Sequence, residues 1–191
     1  MQRDPWLSKW LPVIAERAKP DSVLEIGCGT GDDTETLVSA GLSVIAFDLS
    51  QQAVAKARAR APAAAIFCQS VLDPFPVSGR IGAIVASLSL HYFPWAQTKA
   101  LVARLHETLR PKGILVSRLN STEDRNFGAS GHPRIEENYY LVDSKPKRFF
   151  DRAAVEALFG SGWTKLSVEH AYTGKYEKPK ALWEVVVEKD A

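Results

Sequence analysis

Apolar residues in this chain fall in short unbroken runs separated by amphipathic stretches. Residues 22–26 (SVLEI), 43–48 (SVIAFD), 64–68 (AAIFC), 81–88 (IGAIVASL) and 113–120 (GILVSRLN) read as five strands. A strand that is apolar throughout is one covered on both faces, as in parallel sheets. Residues 6–18, 32–40, 51–60 and 95–109 read as helices between them. Gly41 ends the second of these helices, Ser50 caps the third, and RPKG stops the fourth. Pro12 sits awkwardly inside the first and is expected to split it. A helix over 152–159 follows, and KLSVEHAY and ALWEVVVEK close the chain as two adjacent strands expected to pair antiparallel. Strands alternating with helices predict an α/β fold, a doubly wound and mostly parallel sheet with helices on both faces.

Residues 121–148 break this rhythm with little apolar periodicity. Ordered loops longer than ~12–15 residues are usually functional. The segment is therefore expected to be a substrate-capping insertion in one domain spanning 1–191. Its IEENYYLV stretch suits either a short strand or a helix.

Composition narrows the class. The chain has 191 residues, 46% hydrophobic and 24% charged, with a net charge of +2. No global field recruits nucleic acid, and no apolar run approaches the ~20 residues that span a bilayer. A cytoplasmic location is expected, with no secretory signal at the start. Cys28 and Cys68 form no CxxC pair and histidine is sparse, so no metal site is expected. The predicted strand order puts the second strand between the two cysteines, at two strand spacings or ~9–10 Å. A disulfide needs Cα atoms within about 7 Å, so free thiols are predicted.

The chemistry concentrates in VLEIGCGTGDDT, residues 23–34. Strand, glycine turn and helix follow in that order, at the edge where open α/β sheets bind ligands. Asp48 ends the next strand, 21 residues after Gly27, where a carboxylate can accept both ribose hydroxyls. The dinucleotide fingerprint GxGxxG is absent, because Asp32 stands where the third glycine belongs. Asp32 and Asp33 at the helix start also repel a pyrophosphate. The spacing Glu25-x-Gly27-x-Gly29-x-Gly31 suits an adenosine ligand without phosphate and with positive charge nearby.

At these residues the chain resembles the class I S-adenosylmethionine-dependent methyltransferases. VIAFDLSQQAVAKARA, IGAIVASLSLHYF and ARLHETLRPKGILV resemble further segments of that family, so the likeness covers most of the chain. The tail and RLNS resemble small bacterial members, including those of tellurite-resistance type. The resemblance implies a seven-strand sheet of order 3-2-1-4-5-7-6 with strand 7 antiparallel. It implies S-adenosylmethionine as cofactor and S-adenosylhomocysteine as product. Gly27, Cys28, Gly29 and Gly31 then lie under the cofactor, with Glu25 polarising the loop or holding the ammonium through water. Asp48 takes the ribose, Leu49 lies against adenine, Ser70 and Val71 edge it, and Ser87 sits near the methionine part. Two positions depart from the family pattern: Ser70 and Gly82 stand where it often has acidic residues, and Asp73 is a candidate replacement for the first.

Methyl transfer from a sulfonium needs alignment above all, and a base only if the acceptor loses a proton. His91 and Tyr92 follow the fourth strand; His91 is a candidate base or a loop-bonding residue, and Tyr92 a candidate contact or a packing residue. Arg118, ending the fifth strand, is a candidate for an acidic substrate group or for an ion pair with Asp or Glu. Trp6 and Trp10 are candidates to lid the cofactor or to bury against the sheet. The expected partner is a small-molecule methyl acceptor, the chain acting as monomer or homodimer, with nucleic acid and membrane not expected. The alternatives are an enzyme of this fold with a non-methylating outcome, and a non-catalytic cofactor-binding module.

Overall fold

The computed structural model describes residues 4–191. Its seven-stranded sheet is built from β1 (Val23–Ile26), β2 (Val44–Asp48), β3 (Ala65–Cys68), β4 (Ile81–Ser87), β5 (Leu109–Asn120), β9 (Trp163–Thr173) and β10 (Lys180–Lys189). The order is β3-β2-β1-β4-β5-β10-β9. β10 runs antiparallel to both of its neighbours and the other pairings are parallel. In core-strand numbering this is the expected order, with the last strand reversed.

Period-two alternation divides the core. Leu24, Ile26, Ile84, Ala86 and Leu115 face one apolar cluster, while Val23, Ala83, Val85, Ile114 and Val116 face the other. The first cluster is covered by α4 (Trp95–Thr108) and α5 (Arg152–Leu158), the second by α1 (Leu11–Ala18), α2 (Asp32–Ser39) and α3 (Gln51–Arg60). Caps stand where the local chemistry asks for them. The Ser50 hydroxyl accepts the Ala53 N–H at 3.2 Å and the Asp151 carboxylate accepts the Ala154 N–H at 2.7 Å.

Two local expectations are corrected, and one open alternative is decided. Pro12 does not split a helix; it opens one, because an absent N–H costs nothing in a first turn, and a 3-10 turn (Ser8–Trp10) precedes α1. β5 starts at Leu109 rather than 113, since Ile81 pairs with Leu109 before the register shifts to Ala83 with Ile114. Residues 134–148 take the strand alternative expected for IEENYYLV rather than the helix. They make a small antiparallel sheet of β6 (Arg134–Glu136), β7 (Tyr139–Val142) and β8 (Lys145–Arg148). Gly82 is explained by its position: a Cβ there would collide with the Arg17 carbonyl. Both cysteines are free, Cys28 buried and Cys68 exposed, with β2 between their strands.

Candidate active site

The carboxyl ends of β1, β2, β4 and β5 form one edge, and the sequence-named residues gather there. Gly27 and Cys28 donate their N–H groups to the Phe47 carbonyl at 2.9 and 3.0 Å, which docks the glycine loop on the end of β2. Gly27 has φ +68°, and a Cβ there would meet the Ser89 Cβ at 2.5 Å. Glycine is required twice over, by conformation and by the approach of the segment after β4. Gly29 differs: its φ is +53° but nothing lies within 4 Å of a built Cβ. That gap and the Asp48 carboxylate beside it fit an adenosine ligand laid along the loop.

Asp48 ties the two halves of this cradle together. Its Oδ2 accepts the Gly29 N–H and its Oδ1 the Ser50 N–H, both at 2.9 Å. Each carboxylate oxygen keeps a lone pair for a hydroxyl donor. Leu49 next to it is 75% exposed, an apolar side chain presented to whatever lies beside the carboxylate.

Beyond β3, the Ser70 N–H donates to Asp73 Oδ2 at 2.9 Å and the Ser70 hydroxyl accepts the Leu72 N–H at 3.1 Å. Asp73 therefore shapes this loop through the backbone of Ser70. Arg104 of α4 holds the same loop by donating to the Val71 and Leu72 carbonyls, with its guanidinium over Phe75 at 3.9 Å.

Glu25 lies on the α2 side of β1, and Thr34 Oγ1 donates to it at 2.6 Å. Burial, then the charges of Asp33 and Asp48, push the carboxyl up to about 8, so it is protonated at neutral pH. Cys28 is pushed up as well, by burial first and then by Glu25 and Asp48, so its thiol stays protonated and unreactive.

The segment after β4 turns at Leu88, a non-glycine residue at φ +53°, of the kind that recurs at functional sites. His91 is buried, its ring 4.1 Å from that of Tyr92 and its Nδ1 without a partner. Burial, then the cations of Lys180 and Lys147, push its pKa down to about 3, so the imidazole is neutral. Tyr92 is half-exposed, and its hydroxyl is pushed up by burial, then by Tyr176 and Asp48. The β6–β8 sheet is strapped onto this segment. Arg148 donates its backbone N–H to the His91 carbonyl at 2.7 Å and its Nε to the Phe93 carbonyl at 3.0 Å, and Tyr139 Oη donates to the Tyr92 carbonyl at 2.9 Å.

Arg118 faces the α1 side of β5. Its Nε donates to the Ser87 hydroxyl at 3.0 Å, its Nη1 to Asp4 Oδ2 at 2.5 Å, and its guanidinium stacks on Trp6 at 4.3 Å. Trp6 in turn donates Nε1 to Asp33 Oδ1 at 3.0 Å, and Lys175 reaches Asp32 at 2.9 Å. Trp10 does not share this role; its indole N–H is buried without a partner.

Asp4 and Thr173 are the residues that sequence reasoning missed here, together with the bond from Trp6 to Asp33. Asp4 and Thr173 meet across 169 residues, with Thr173 Oγ1 donating to Asp4 Oδ2 at 2.9 Å. No local pattern announces such a contact. No group of three potential metal ligands occurs among the described residues.

Residues 23–113 match a family described as a methyltransferase domain. A malonyl-[acyl-carrier protein] O-methyltransferase of Enterobacter lignolyticus is 29% identical over 138 residues, 71% of this chain and 51% of the relative. The chain spans about half the length of the curated relatives it matches. Among solved structures, an S-adenosylmethionine-dependent methyltransferase from Clostridium acetobutylicum superposes with a TM-score of 0.75 at 15% identity, covering 100% of this chain and 93% of that one. The N-methyltransferase NodS from Bradyrhizobium japonicum, in complex with S-adenosyl-L-homocysteine, superposes with a TM-score of 0.67 at 15% identity, covering 98% and 89%. These two share the fold.

Proposed function

We propose that this chain is a class I S-adenosylmethionine-dependent methyltransferase that transfers a methyl group to a small-molecule acceptor. The observation that carries the reading is the junction of Gly29 and Asp48, where an open glycine loop meets a carboxylate with free lone pairs.

S-adenosylmethionine supplies a methyl on a sulfonium whose departure leaves a neutral thioether. Gly27, Cys28, Gly29 and Gly31 form the floor beneath it, with Glu25 bracing that floor from below. Asp48 takes the ribose hydroxyls, Leu49 covers adenine, Ser70 and Val71 edge it, and Ser87 lies by the methionine part.

The chain's own work is to hold the acceptor in line and to keep water out. His91, neutral with Nδ1 free, receives a hydrogen bond from the attacking group, while the burial that pushes its pKa down to about 3 disfavours its taking the proton. Tyr92 lines the approach, and Arg118 orients the acceptor or the cofactor. The 121–148 segment caps the space, because its small sheet is bonded to residues 91–93. A cap fixed so close over this segment favours a small acceptor.

The test is calorimetry with S-adenosylhomocysteine on wild type, Asp48→Asn and Asp48→Ala, followed by an acceptor screen for S-adenosylhomocysteine release. Micromolar binding lost in both variants, with native circular dichroism, is the expected result. Unchanged affinity in both variants overturns the ribose assignment, and no binding by wild type overturns the cofactor reading.

A further inference from the structure

Arg118 presents an unusual arrangement for an ion pair that only stabilises the fold. The guanidinium is 3% exposed and held from three sides: by Ser87, by the Trp6 face and by Asp4. Asp4 Oδ2 also receives the Thr173 hydroxyl. One carboxylate oxygen thus sits between a buried cation and a hydroxyl, at the tips of β5 and β9. The carboxylate comes from a segment with no helix or strand hydrogen bonds of its own, ahead of the 3-10 turn.

The surroundings combine paired cations with buried polar atoms that lack a partner. Lys180 is buried and paired with Asp124 at 2.7 Å. Burial lowers its pKa, partly offset by Asp124, and the neighbouring Lys147 and Arg118 lower it further. Lys175 adds a fourth positive charge nearby, on Asp32. Along the same edge, Asn120 Oδ1, His91 Nδ1 and Ser89 Oγ are buried without partners. Buried polar atoms are normally satisfied, and those left over mark places where a ligand completes the bonding.

We propose that Arg118 and Thr173 form a carboxylate subsite, that Asp4 is its resident stand-in, and that a ligand carboxylate displaces Asp4 when the cleft fills. The inference rests on the methyl-donor reading of the cleft and goes beyond it by naming the chemistry that the β5–β9 corner accepts. Two ligands can bring such a group: the methionine portion of the cofactor, or the acceptor. An arginine fork is suited to either.

The experiment compares wild type, Asp4→Asn, Thr173→Val and Arg118→Met by calorimetry in two arms. The first uses S-adenosylhomocysteine and 5′-methylthioadenosine, which lacks the amino-acid portion. The second uses a series of mono- and dicarboxylates from acetate to adipate, with the matching primary amides as controls, with and without S-adenosylhomocysteine. Asp4→Asn keeps the shape and removes the competing charge, so the carboxylate ligand should bind about tenfold tighter. Thr173→Val should weaken it several-fold and Arg118→Met about a hundredfold, while amides and methylthioadenosine do not respond. A response confined to S-adenosylhomocysteine identifies the cofactor as source, and a response confined to the second arm identifies the acceptor. If no carboxylate binds tighter to Asp4→Asn, the proposal is overturned, even if Arg118→Met fails to fold. Wild type that binds no S-adenosylhomocysteine overturns the methyl-donor reading instead, and the second arm still decides this one.

Discussion

The Thr34 hydroxyl donates to the Glu25 carboxyl at 2.6 Å, and both side chains are buried beneath the glycine loop. A carboxyl so placed, pushed up to about 8, binds a proton in the folded state that the unfolded chain releases near 4.5. The folded state binds more protons between those values, so its stability is fullest below 4.5 and declines as pH rises through 8. Glu25→Gln should abolish that decline. Urea denaturation at pH 5, 7 and 9 should show the variant gaining on wild type by a few kcal/mol across the range, at about 1.4 kcal/mol for each pH unit between the two values. Parallel curves would show that Glu25 is ionised throughout.

His91 has the opposite sign. Its pKa is pushed down to about 3, so the folded state lacks a proton that the unfolded chain takes up below about 6.5. Its contribution is present above 6.5 and is lost as pH falls toward 3. Nitrogen chemical shifts of the ring should stay those of a neutral imidazole from pH 8 to 4. A titration near 6.5 would contradict the burial. The pH–rate profile should then carry no limb near 6.5 that disappears in His91→Gln.

Gly27 and Gly29 should fail differently when given a methyl group. Gly27→Ala drives a Cβ into Ser89 at positive φ, so it should cost about 2–3 kcal/mol or more in thermal or urea denaturation. Gly29→Ala meets nothing in the protein and should cost only the conformational ~1–2 kcal/mol. Yet it should lose S-adenosylhomocysteine binding in calorimetry, because its methyl fills the cradle. Equal stability losses with retained binding in Gly29→Ala would place the cofactor elsewhere.

Lys180 and Asp124 form a buried pair between β10 and the 121–148 segment. Removing one partner strands a charge, so Asp124→Ala should destabilise by about 3–5 kcal/mol. The double variant Asp124→Ala, Lys180→Met should recover most of that loss in denaturant titrations. If the double variant is as unstable as the single one, the pair is not what holds the segment.

The central strands were readable because burial on both faces writes an unbroken apolar run, as in IGAIVASL. The glycine loop was readable because its backbone demands leave glycine at fixed spacing. The small β6–β8 sheet was not, since its outer strands Arg134–Glu136 and Lys145–Arg148 are short and polar, with no alternation to register. Among candidate residues, Arg118 reads in the sequence as either a substrate contact or an ion pair, and the bond to Asp4 realises the second. Asp4 was invisible as its partner because it lies 114 residues away, in a stretch with no local pattern. The unusual proton affinity of Glu25 likewise depends on burial depth and on Asp33, which only the folded chain brings together.

The contact between Gly27 and Ser89 joins two regions with different occupants. In the proposed reading, the loop after β1 carries the donor side and the segment after β4 the acceptor side. Since Ser89 fills the space where Gly27 lacks a side chain, neither segment can shift without moving the other. An acceptor that repositions residues 89–92 therefore changes donor affinity, and the donor changes acceptor affinity by the same factor. In that reading the two ligands report on each other through one glycine, and the apparent affinity for either depends on the other's concentration.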